Sequence, residues 1–75
     1  MEQQFLTAFG DILELQPDEI NLDDTFRDYD TWDSLASLSV IAMLDEEFGV
    51  HIESGDFTAI QTVGQLMEEV KKRMA

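Results

Sequence analysis

The sequence predicts an all-α fold: a four-helix bundle with three main helices, one short helix and a long first loop. Three observations predict it. Apolar residues recur three or four positions apart in three separate stretches, which places each set on one face of a helix. Start and stop residues of the right type bound those stretches. The one strand-like pattern, Val50 and Ile52, has no second strand to pair with and runs at once into Gly55.

The first helix is expected over about residues 2 to 15, where Phe5, Leu6, Phe9, Ile12 and Leu13 form the apolar face. Pro17 stops it by biasing Gln16 away from the helical region, and Gly10 weakens it. Residues 16 to 32 lack a period: Ile20, Leu22, Phe26, Tyr29 and Trp32 are scattered among six aspartates and glutamates. Five large apolar side chains argue for an ordered loop pinned at those points, and so long a connection points to a functional role. The second helix is expected from Ser34 to Phe48, with Asp33 as N-cap and Gly49 as left-handed stop. Its buried face is expected to be Leu35, Leu38, Ile41, Leu44 and Phe48. Residues Asp56 to Ile60 read as a single helical turn. The last helix starts near Thr62, whose spacing to Gln65 fits a capping box, and continues through Val63, Leu66, Met67, Val70 and Met74. Lys71, Lys72 and Arg73 fall at its C-terminal end, where cations complement the dipole.

Composition narrows the function. Seventy-five residues read as a single domain over 1–75, too small for a buried catalytic pocket, so no catalytic residues and no enzyme activity are expected. Seventeen acids against four bases give a net charge of −13, and residues 1 to 70 hold one base, Arg27. That field repels nucleic acid and anionic membrane surfaces and attracts basic protein surfaces. There is no cysteine, so any thiol chemistry needs an attached group. The start, Met1-Glu2-Gln3-Gln4, has no targeting pattern, and no stretch approaches the roughly 20 apolar residues that span a bilayer. A cytoplasmic monomer is the expectation.

Two chemistries fail on spacing. The only histidine, His51, lies past the far end of the helix that begins at Ser34, roughly 25 Å away at 1.5 Å per residue, which excludes a serine–histidine dyad. His51 reads as a solvated loop residue or a partner contact. An EF-hand starting at Asp28 would have Trp32 at its fifth position, Asp33 at its sixth and Ser39 at its twelfth, so no metal site is expected.

What remains is a serine at the mouth of a helix, where unpaired N–H groups and the positive dipole end favour an attached anion. Asp33-Ser34-Leu35, thirteen residues ahead of Phe48, resembles the attachment motif of acyl carrier proteins. The run Asp45-Glu46-Glu47-Phe48, the lead-in Asp24-Thr25-Phe26 with Asp28, and Ile60-x-Thr62-Val63 resemble the same family. The resemblance implies an acyl-carrier-like bundle whose Ser34 receives a covalent 4′-phosphopantetheine arm from coenzyme A, through a phosphopantetheinyl transferase using magnesium. It implies a discrete carrier that holds acyl or aminoacyl groups as thioesters for loading and transferring enzymes with basic docking surfaces. By the same resemblance Asp33 serves transferase recognition. Asp33, Asp45, Glu46 and Glu47 would meet basic partner surfaces, with Leu35 as an apolar contact beside the arm. Each acid also reads as solvated helix surface. The core of the bundle could open to shelter a bound chain.

The chain departs from fatty-acid carriers at Thr31-Trp32, where they have Gly-Ala, and at Ala36 and Ser39, where they carry acids. Those departures count against primary fatty-acid synthesis, and a specialised pathway such as polyketide, peptide or surface-sugar acyl transfer fits at least as well. Trp32 either packs under the loop or offers an aromatic surface to a partner. The rival reading is an acidic helical interaction module that is never modified and binds basic protein surfaces.

Overall fold

The computed structural model describes residues 2–74. Among them are four α-helices: α1 (Glu2–Leu13), α2 (Ser34–Phe48), the short α3 (Ser54–Ala59) and α4 (Val63–Met74). Two 3-10 turns, Pro17–Glu19 and Phe26–Asp28, punctuate the long first loop. The all-α bundle expected from sequence is the fold observed.

Helix α1 ends at Leu13, two residues earlier than expected, and Pro17 is not what stops it. Glu14 takes a left-handed φ of 59°, and the Leu15 N–H folds back onto the Gly10 carbonyl at 2.9 Å. That turn satisfies an orphan carbonyl at the helix end. Gly10, which counted against the helix, permits the turn: a Cβ there would lie 2.4 Å from the Leu15 carbonyl oxygen.

The long loop is ordered by local hydrogen bonds and by its grip on α4. Asn21 Oδ1 accepts from the Asp23 N–H at 2.9 Å, and the Asn21 N–H donates to Asp24 Oδ2 at 3.1 Å. A single antiparallel bridge pairs Thr25 with Thr62, while the Val63 and Gly64 N–H groups donate to the Asp24 and Leu22 carbonyls. The first N–H groups of α4, which no helix can satisfy internally, are thereby used to fix the loop. Thr62 and Gln65 complete the expected capping box, each side chain bonding the other's backbone N–H. Of the five apolar anchors, Ile20 and Phe26 are buried, Tyr29 and Trp32 half-buried, and Leu22 largely exposed.

The core is a row of aromatic rings with aliphatic residues packed around it. Phe5 stacks on Phe9 at 5.5 Å, Phe9 meets Phe26 edge-on at 6.0 Å, and Phe26 reaches Phe57 of α3 at 5.7 Å. Val50 and Ile52 are buried as loop residues that fill this core, which accounts for their strand-like pattern without a strand.

Helix α2 corrects one expectation. Its buried residues are Ala36, Val40, Met43 and Leu44, whereas Leu35 and Leu38 are 69% and 63% exposed and Ile41 and Phe48 half-buried. The eleven residues from Ser34 to Leu44 carry no charge, so two stripes are available at helical spacing. With aromatic rings already filling the interior, α2 lays its slimmer stripe, headed by Ala36, against them.

Candidate functional site

The start of α2 is built by its cap. Asp33 is extended (φ −149°, ψ −175°) and its Oδ1 accepts from the Ala36 N–H at 2.7 Å, while its carbonyl accepts from Ser37. This leaves the N–H groups of Ser34 and Leu35 unused by the helix and facing outward at its positive end. Ser34 is the first helical residue and is exposed. An anion on its hydroxyl gains from those two N–H groups.

Beside Ser34 runs an open groove of about 520 Å³. One wall is α2, with Ser34, Ser37, Leu38 and Ile41; the other is α3, with Ser54, Phe57 and Thr58. Trp32 and Arg27 form its floor. Trp32 lies 4.8 Å from the Phe26 ring centre and stacks on Phe57 at 6.2 Å, so the half-buried indole packs inward while keeping an edge on the groove. Arg27 donates to the Phe57 carbonyl at 2.8 Å and to the Ile60 carbonyl, and its guanidinium lies over Phe26 and Phe57. Sequence reasoning gave Arg27 and Leu38 no place in the site. For Leu38 the signal was present in the charge-free run of α2; for Arg27 there was none, because its partners are backbone carbonyls 30 and 33 residues away.

The residues singled out from sequence separate into groups. Helical spacing puts Ser34, Leu38, Ile41 and Asp45 on one stripe and Leu35, Ala42 and Glu46 on its neighbour, both on the exposed side of α2. Asp45 lies about 16 Å along the axis from Ser34. Glu46 and Glu47 also border a separate concavity on the α1 side, with Gln4 and Asp11. His51 is exposed beyond the other end of α2, with Nε2 3.1 Å from Glu53 Oε1 and no route to Ser34. Among the described residues, no group of three or more His, Cys, Asp or Glu could hold a metal ion, and no helix is long and apolar enough to cross a membrane.

One ionisable pair is perturbed, in the lead-in to the site. Tyr29 Oη donates to Asp24 Oδ2 at 2.6 Å. This bond, followed by that from the Asn21 N–H, holds the Asp24 carboxyl below its ordinary value. Burial first, then the contact with Asp24, raises the Tyr29 hydroxyl well above its ordinary value.

A family model described as "Phosphopantetheine attachment site" matches residues 3–70. The chain belongs to that family of carrier proteins. Among curated relatives it resembles an "Acyl carrier protein" of Rhodococcus erythropolis, 24% identical over 75 residues that cover 95% of this chain and 82% of the relative. It also resembles a "Meromycolate extension acyl carrier protein" of Mycolicibacterium aurum, again 24% identical, covering 95% of this chain and 77% of the relative. The carrier's cofactor is therefore covalent 4′-phosphopantetheine, and its role is to carry rather than to catalyse. Phosphopantetheinyl transferases and biosynthetic enzymes are the general partners of such carriers. The site fits the cofactor: an exposed hydroxyl, two free helix-end N–H groups and an adjoining groove offer a place for a phosphodiester and the start of a flexible arm. When attached, that arm supplies the thiol that the cysteine-free chain lacks.

Proposed function

We propose that Ser34 is the attachment residue and that one carrier domain over 1–75 shuttles acyl or aminoacyl groups as thioesters on its arm. The observation that carries this is the position of Ser34: exposed, first in α2, immediately after its capping aspartate and at the end of the groove. The serine is a substrate here. Its Oγ bonds to the phosphorus of coenzyme A bearing the pantetheine, adenosine 3′,5′-bisphosphate leaves, and the hydroxyl proton passes to a base of the transferase.

Docking in this reading uses Asp33, Leu35, Asp45, Glu46 and Glu47, toward partners with basic surfaces. Their exposure supports it, and the outward stripe adds Leu38 as a second apolar contact near the arm. The carrier is a cytoplasmic monomer. The uncharged first three turns of α2 and the Trp32 floor support service in a specialised pathway. The resemblance to the meromycolate extension carrier of Mycolicibacterium aurum supports extension of long acyl chains as the second reading.

The test incubates the unmodified protein with coenzyme A, magnesium and a broad-specificity phosphopantetheinyl transferase, followed by intact mass and peptide mapping. One phosphopantetheine on Ser34, absent in Ser34→Ala, is the expected result. No addition with several transferases, while a known carrier is modified alongside, would favour the unmodified acidic interaction module.

A further inference from the structure

The chain has two arginines, and both reach the shortest helix. From the long loop, Arg27 donates to the Phe57 and Ile60 carbonyls, which lie at the C-terminal end of α3, and its guanidinium sits 5.5 Å from the Phe57 ring centre. From α4, Arg73 pairs with Asp56 at 3.6 Å and donates to the His51 carbonyl at 3.1 Å. Arg27 thus supplies, from 30 residues away, the cationic cap that α3 lacks in its own sequence.

Helix α3 needs such help. Six residues are too few for a helix to persist by propensity, and its N-cap residue, Glu53, makes no side-chain bond to it. Phe57 is its one buried residue. The long helices pack α1 on α2 and α2 on α4, whereas α3 is joined more sparsely to the rest of the bundle. Yet α3 is a whole wall of the groove beside Ser34, and beneath that wall lie Trp32 and Phe26.

We infer that Arg27 is a positioning residue that latches α3, keeping the floor of the groove shut so that a short or medium acyl group stays in the outer groove rather than passing beneath α3. This rests on the carrier reading of Ser34. On α3 the latch is two hydrogen bonds to carbonyls and the Phe57 ring face, all made by a single side chain whose guanidinium also lies over Phe26. Lysine keeps the charge but lacks the planar fork that reaches both carbonyls. Releasing the latch loosens α3 alone, because the contacts among α1, α2 and α4 do not involve Arg27. An apolar chain attached at Ser34 is then free to wedge between Phe57 and the Trp32 and Phe26 rings beneath it.

Two measurements on Arg27→Lys, with Phe57→Leu as a second variant loosening the same contact from the other side, test this. In the unmodified proteins, hydrogen exchange of the 53–62 segment is expected to be about tenfold faster than in the parent, with α1 and α4 within about twofold. Unchanged exchange in α3, or equal acceleration throughout the bundle, would show that Arg27 is no local latch. In proteins carrying acetyl- or octanoyl-pantetheine, hydroxylamine cleaves the thioester to a hydroxamate and free thiol. The octanoyl-to-acetyl rate ratio is expected near one in the parent and at least about threefold lower in the variants, as the longer chain becomes sheltered. A parent that already shelters octanoyl, or a ratio unmoved while α3 exchange rises, overturns the inference. Failure of Ser34 to accept any arm instead overturns the carrier reading, and the exchange measurement still decides the latch.

Discussion

Gly10 shows how one missing methyl group can decide a helix end. The Leu15 carbonyl oxygen lies 2.4 Å from where a Cβ would be, so Gly10→Ala is expected to destabilise the protein by about 1–3 kcal/mol, despite the higher helix propensity of alanine. Chemical denaturation measures this, and a stabilised variant would show that the turn at Glu14 does not depend on the glycine. The Asp24–Tyr29 pair predicts a pH signature. Asp24 has a lowered carboxyl pKa, so its contribution is present above the ordinary carboxylate value, about 4, and is lost as pH falls through its folded value. Tyr29 has a raised pKa, so its contribution is present below about 10 and is lost as pH rises through its folded value. The stability lost in Tyr29→Phe is therefore expected to be flat from about pH 5 to 9 and to shrink on both sides. A penalty that grew on acidification would exclude this assignment.

At the scale of elements, what could be read in the sequence was local. The caps of α2 at Asp33 and Gly49 and the Thr62–Gln65 box are chemistry within four residues, and each stands where the sequence places it. What could not be read was set by tertiary packing. Helix α2 is apolar on two sides, and its pattern alone gives no reason to prefer Ala36, Val40 and Met43 over the larger Leu35 and Leu38. The end of α1 was misplaced because a glutamate takes the left-handed position usually given to glycine. A pair of substitutions tests the stripe: Leu38→Ser is expected within about 0.5 kcal/mol of the parent, whereas Met43→Ala costs about 2 kcal/mol or more. Thermal unfolding separates the two outcomes, and the reverse order would restore the leucine face as the core. Of the candidate site, the helix start at Ser34 and its capping by Asp33 were legible for the same local reason. The Arg27 contacts were not, because nothing near residue 27 indicates backbone carbonyls beyond residue 56.

For the whole molecule, a charge of −13 on 75 residues means that folding gathers like charges into a small volume. Both arginines are engaged with α3, and the two lysines are exposed at the end of α4. Self-repulsion along the acidic loop and the end of α2 therefore has few internal counter-charges. Screening should stabilise the fold: raising sodium chloride from about 10 mM to about 0.5 M shrinks the Debye length from about 30 Å to a few ångströms. A gain on the order of 1 kcal/mol, several degrees in Tm, is expected, with magnesium effective at lower concentrations. A Tm insensitive to salt would mean that the acids are already compensated in ways the fold does not display.

Trp32 is the only tryptophan of the chain, and one edge of its indole forms part of the floor of the groove that begins at Ser34. With attachment at Ser34 as proposed, the protein thus carries a native optical probe beside its cargo. Excited at the red edge of protein absorbance, it has no second indole to dilute the signal, and the emission colour depends on how much water reaches that floor. Loading and unloading can then be followed in real time, unlabelled, by a shift in fluorescence.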